Sequence, residues 1–189
     1  INLAAIAGED GLIEEAFDYL ENIGPESEWY VSALALKADL YQMEGLTDVA
    51  REKLLEARNY SDDPLLIFGL AEIDSELGND LEAIKGYAQL DNRAIYVQTG
   101  ISTYQRIGLA YARLGKFESA IEFLEKALEL EYDDQTAYEL ASLYFDQEDY
   151  QKAALYFKQL DTISPDFEGY EYGYSQALHK EHQTEEALR

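Results

Sequence analysis

The sequence has 189 residues, 47% of them hydrophobic, and a net charge of −25 from 14 basic and 39 acidic residues. That apolar content suits a chain with a buried core rather than a disordered tail, and so negative a field repels nucleic-acid backbones and anionic membrane surfaces. Cysteine is absent, which removes disulfides, thiolate catalysis and Cys-ligated zinc, and no apolar run approaches the roughly 18 residues of a membrane helix.

Apolar residues recur at helical spacing throughout and prolines number only three, so helices are predicted along nearly the whole chain, arranged in pairs. The first pair, in residues 1–30, has a small residue at Ala4, a turn glycine at Gly11 and a small anchor at Ala16. Residues 31–63 repeat this with Ala38, Gly45 and Ala50. Residues 64–100 carry Ala71, Gly78 and Ala83, then a longer connector around Asp91–Gly100. Residues 101–133 carry Gly108, Gly115 and Ala120. Residues 134–167 carry Ala141, Glu148 and Ala153, and residues 168–189 carry Ser175, His182 and Ala187. The anchors at 16, 50, 83, 120, 153 and 187 are 34, 33, 37, 33 and 34 residues apart.

Each position in this pattern has a physical reading. A small residue on each helix of a pair lets the two backbones approach closely. The glycine between them suits a left-handed residue that ends the first helix. Glu148 and His182 hold that place in the last two copies, so their turns must differ or carry strain. Leu20, Leu54, Tyr87, Leu124 and Phe157 are expected to fill the space between neighbouring pairs. Asp62-Asp63 and Asp133-Asp134, at the junctions, are expected to cap the following helix.

The period and its residues resemble the tetratricopeptide repeat (TPR) family. The resemblance rests on Ile107-Gly108-x2-Tyr111, Ala120-x3-Leu124 and Ala127 in one copy. Leu140-Ala141-x2-Tyr144, Ala153-x3-Phe157 and Pro165 carry it in the next. The family's Trp position holds Leu34, Ile67, Tyr104, Ala137 and Glu171 instead. The resemblance implies an all-α fold, a right-handed superhelical solenoid of antiparallel helix pairs, as one array of about six repeats. The first copy lacks most of its first helix and the last stops just after Ala187, so a fragment of a longer protein is expected.

In that family the first helices line a concave groove. By analogy the groove here holds Asp39, Gln42, Phe68, Glu72, Gln105, Leu109, Tyr138, Ser142, Phe145, Tyr172 and Gln176. The resemblance implies a non-enzymatic scaffold that binds a peptide or extended protein segment there. Asp39 and Glu72 favour a basic or neutral segment. The Lys/Asn clamp that one TPR subclass uses for chaperone C-termini is missing; only Arg106 and Arg113 lie near that zone. The alternative is a regulatory or self-association module of a longer bacterial protein, a homo-oligomer through its terminal repeats. An RNA-reading helical repeat would need the Lys and Arg that this chain lacks. Most of the 16 tyrosines are expected to pack between helices with their hydroxyls reaching water.

Catalytic and metal patterns are weak. Gly173-Tyr174-Ser175-Gln176-Ala177 looks like a nucleophile elbow, but an elbow requires a strand and a sharp turn, and Ser175 falls at the small packing position of a predicted helix. His179 and His182 lie three residues apart without a committed third ligand. No catalytic residue, metal or cofactor is expected. The composition is compatible with a cytoplasmic bacterial protein.

Overall fold

The computed structural model describes residues 1–187, with side chains as far as His182. It contains twelve helices and no strand among the described residues. The chain forms two compact units, Ile1–Gly100 and Ile101–Arg189. In the first, α1 (Asn2–Glu9) pairs with α2 (Ile13–Glu21), α3 (Tyr30–Met43) with α4 (Thr47–Arg58), and α5 (Pro64–Glu76) with α6 (Asp80–Tyr87); α7 (Asn92–Thr99) packs on α5. In the second, α8 (Thr103–Arg113) pairs with α9 (Phe117–Leu130) and α10 (Asp134–Asp146) with α11 (Tyr150–Ile163), and α12 (Tyr170–Ala187) packs on α11.

The turns inside the pairs share one geometry. Gly11, Gly45, Gly78 and Gly115 have φ between +68° and +76°. At Gly45 the amide of the next residue, Leu46, donates to the Tyr41 carbonyl at 2.8 Å, and the Gly45 amide donates to Gln42 at 2.9 Å. This is the paired bonding of a Schellman C-cap, which satisfies carbonyls that the helix end would leave bare. Glu148 adopts the same turn, with φ +62°, and the following Asp149 amide reaches the Tyr144 carbonyl at 2.9 Å. The turn at Glu148 therefore does not differ; it is strained. A left-handed L-residue costs about 1–2 kcal/mol, and glycine returns part of that through a freer unfolded chain. Glu148→Gly is expected to stabilise the second unit by about 0.5–1 kcal/mol. A thermal melt that shifts downward by a comparable amount would refute this.

Helix starts follow the junction aspartates. Asp63 accepts from the Leu65 amide at 2.8 Å with Pro64 in the first turn, and Asp133 accepts from the Thr136 amide at 2.7 Å. The anchors Ala16, Ala50, Ala83, Ala120 and Ala153 are fully buried, as are Leu20, Tyr87 and Leu124, with Leu54 and Phe157 nearly so. Gly108 lies where a Cβ would sit 2.7 Å from Leu124 Cγ, so the close approach of α8 and α9 leaves no room for a methyl group.

Two elements depart from the sequence expectation. The longer connector is itself a helix: α6 stops at Tyr87, and Asp91 caps a fresh start by accepting from the Ala94 amide at 2.7 Å. The last repeat has no turn at His182, because α12 runs on to Ala187 through residues that offer no glycine to end it. Its small position is open. Ala177 is fully buried while Ser175 is exposed, its Oγ donating to the Tyr172 carbonyl at 2.9 Å. Ser175 is therefore not the packing residue. Ser175 keeps the offset of Ala141, and Ala177 that of the buried Leu143; Ser175 stays exposed because α12 runs on and, among the described residues, no second helix folds back over it. The side chain of the expected anchor Ala187 lies outside the described residues.

Candidate peptide-binding surface

In the first unit the expected surface residues belong to α3 and α5. Asp39 is exposed, yet the chain around its carboxyl group raises its pKa by desolvation. Gln42 donates to Glu76 at 3.2 Å, across from α3 to α5. Glu72 accepts a hydrogen bond from the Tyr87 hydroxyl. Phe68 is buried with its ring 6.0 Å from that of Tyr87. This differs from the open aromatic that its position suggests: Tyr87 on α6 covers it.

In the second unit the residues lie on α8, α10 and α12. The Gln105 amide donates to Thr136 Oγ at 2.7 Å and to Asp133 at 3.0 Å, which ties the start of α8 to the cap of α10. Leu109, Tyr138, Ser142 and Phe145 are half-buried. Tyr138 meets the edge of Phe157 at 6.1 Å and the Phe167 ring at 5.7 Å, and Phe145 stands edge-on to Tyr150 at 5.4 Å. Ser142 donates to the Tyr138 carbonyl of its own helix at 2.9 Å. Tyr172 is well exposed and Gln176 half-buried.

Sequence reasoning missed what the tyrosine hydroxyls do. Tyr30 donates to Glu56, Tyr144 to Glu125 at 2.6 Å, and Tyr170 to Asp161 at 2.7 Å, each bond joining two helices. Tyr144 and Tyr156 stack at 5.7 Å, with Tyr156 also reaching Glu125 at 3.4 Å. In a chain with 39 acids and 14 bases, a phenol supplies a donor where a cation is scarce. Glu56 is held below its ordinary pKa by Tyr30 and then by Lys53.

These contacts push Tyr30, Tyr156 and Tyr170 up to about 12 from 10.0. Bonding to a carboxylate is the main cause for Tyr30 and Tyr170, and burial for Tyr156. Burial, then Glu125, raises Tyr144 as well. A folded pKa above the unfolded one favours the neutral phenol in the native state. The stabilisation is therefore complete below about pH 10 and is lost as pH climbs through about 12. Urea midpoints should fall over that window, with tyrosinate absorbance rising in two phases. Midpoints flat across it would show that these bonds contribute nothing.

The geometry defines a repeat protein of antiparallel helix pairs with no strand among the described residues. The chain belongs to the tetratricopeptide repeat family: a tetratricopeptide repeat model matches residues 101–134 and 135–167, and a model of YpiA-like tetratricopeptide repeats matches residues 42–95. Over 177 residues it is 28% identical to the TPR repeat-containing protein YpiA of Bacillus subtilis (strain 168), covering 93% of this chain and 42% of that protein. The chain thus spans less than half the length of this relative. Among solved structures, it resembles the C-terminal part of a TPR repeat-containing protein from Cytophaga hutchinsonii, with a TM-score of 0.78, 18% identity, and 97% of this chain and 72% of that one covered. It also resembles MamA (41-end) from Desulfovibrio magneticus RS-1, with a TM-score of 0.72, 16% identity, and 89% of this chain and 94% of that one covered. These likenesses establish the fold, a helical solenoid of paired helices. Among the described residues no helix is long and apolar enough to cross a membrane.

Proposed function

We propose that this chain is a non-enzymatic scaffold that binds a peptide or extended segment of another protein on the inner faces of its first helices. The observation that carries this reading is the set Leu109, Tyr138, Ser142 and Phe145 on α8 and α10, all half-buried. Their undersides are packed, which limits the entropy lost on binding, and their open sides offer apolar area. The bond from Gln105 to Thr136 keeps the two helices side by side. Membership of a family built for protein contacts supports the reading, as does the net charge of −25, which favours a basic or neutral segment. A cytoplasmic bacterial setting belongs to the same proposal and rests on the cysteine-free composition and the Bacillus relative.

The test is an array of overlapping peptides from proteins of the source organism. Binding to the intact chain should be lost in Leu109→Asp and weakened in Tyr172→Ala, and kept in Leu155→Ser, which alters an exposed leucine on α11. Loss in Leu155→Ser with retention in the other two would place binding on the outer surface and overturn the proposal.

A further inference from the structure

The inner-face positions lie three residues before, one after and four after the small residue of each first helix. In α8 and α10 they hold Gln105, Leu109 and Ala112, then Tyr138, Ser142 and Phe145. None of them is charged, in a chain of which 28% of residues are charged, and the charged residues of α8 and α10 fall at other offsets. The fold does not impose this. At the middle position, where α8 and α10 carry Leu109 and Ser142, α3 and α5 of the first unit carry the carboxylates Asp39 and Glu72. The position is open in all four repeats: Asp39 is exposed, and Glu72, Leu109 and Ser142 are half-buried.

What the uncharged strip can hold follows from its bonding. The Ser142 hydroxyl donates to the Tyr138 carbonyl at 2.9 Å, and the Gln105 amide donates to Thr136 at 2.7 Å and Asp133 at 3.0 Å. A Lys or Arg laid between Leu109 and Phe145 would give up hydration without meeting a carboxylate, and an Asp or Glu would meet no cation. An apolar side chain pays neither penalty, and Leu109, Ala112 and Phe145, all half-buried, give it open apolar area to cover. The net charge of −25 acts from further away. It repels acidic segments and draws basic ones in, but salt screens it.

We propose that Leu109, Ala112 and Phe145 take an uncharged apolar side chain, Leu, Ile, Met or Phe, from a segment of a partner protein, and that this contact decides which segment is held. The inference rests on the inner-face reading above and narrows it: Lys and Arg belong to the flanks of the bound segment, and an apolar residue to its centre.

The probes are short dye-labelled peptide mixtures, with alternate central positions fixed as Leu, Phe, Lys or Glu and an equal mixture of Gly, Ala, Ser and Gln elsewhere. Fluorescence anisotropy reads their binding to the 189-residue chain. The Leu and Phe mixtures should bind about tenfold or more tighter than the Lys mixture, at low and high salt alike, because apolar burial is not screened. Leu109→Asp gives α8 the residue that α3 has at Asp39, so helicity should be kept. It should weaken the Leu mixture by about tenfold and strengthen the Lys mixture at low salt. Phe145→Ser should weaken the Leu and Phe mixtures in the same direction. Tighter binding of the Lys mixture than of the Leu mixture to the unaltered chain overturns the inference and leaves the inner-face reading standing, since a segment would still be held. A Leu preference that survives both Leu109→Asp and Phe145→Ser also overturns it, because the apolar residue then sits elsewhere. Absence of binding by every mixture overturns it too, and the inner-face reading falls with it if the peptide array also yields no binder.

Discussion

Arg51→Met is expected to destabilise the first unit by about 3 kcal/mol. Arg51 Nε lies 2.6 Å from Asp74 Oδ1, joining α4 to α5, and the Asp74 side chain is only 5% exposed. The Asn79 amide is a second donor to the same oxygen, at 3.3 Å. Removing the guanidinium leaves a carboxylate in the packed seam with one neutral donor, and an uncompensated buried charge is the costly outcome. The pair is asymmetric. The Arg51 side chain is 30% exposed, so it can turn to water once its partner is gone. Asp74→Asn, which keeps the volume, should therefore cost less, about 1–2 kcal/mol. Urea denaturation of both variants and of the double substitution measures the coupling. Equal losses in the two single variants would show that burial of the carboxylate is not what matters.

Ala120→Leu is the second large effect, with an expected loss of about 1–3 kcal/mol. Ala120 is fully buried at the seam between α8 and α9, and its carbonyl would lie 3.2 Å from a Cβ built at Gly108. Gly108→Ala belongs to the same test. Alanine is the better helix former by about 1 kcal/mol, but its methyl group would meet Leu124 Cγ at 2.7 Å and Cδ2 at 2.8 Å. Leu124 is fully buried and has nowhere to move. The clash should outweigh the propensity and leave a net loss. Leu124→Ala removes both clashing atoms, so the double variant should lose less than the sum of the single ones. A melt unchanged by Ala120→Leu would mean that the two helices do not meet at this register.

Much of the fold was legible in the residues alone. The period, the anchors and the small positions are one-dimensional signals, because every repeat makes the same contact at the same offset. The turn at Gly45 or Gly115 is local, set by a few consecutive residues. The strain at Glu148 could be read by comparing it with those glycines, and the structure shows φ +62° there. Asp63 and Asp133 declared the starts of α5 and α10 in the same way.

The candidate surface was less legible. Position within the repeat selected Phe68 and Tyr138 alike. Whether a ring is open depends on what a neighbouring element places over it: Tyr87 covers the first, while Phe157 and Phe167 only flank the second. The last repeat shows the limit of a period: Ser175 keeps the offset of Ala141, yet it is exposed because α12 runs on to Ala187 and, among the described residues, no second helix folds back over it.

By itself, the sequence determined the helix-pair repeat, its turn geometry and the residues at its closest approaches, because these follow from local stereochemistry multiplied along the chain. Tertiary structure alone decided which carboxylate each tyrosine meets, that Asp74 is buried against Arg51, and that α7 is a helix. Those facts depend on how helices tens of residues apart are set against each other, and no periodicity in the residues records it.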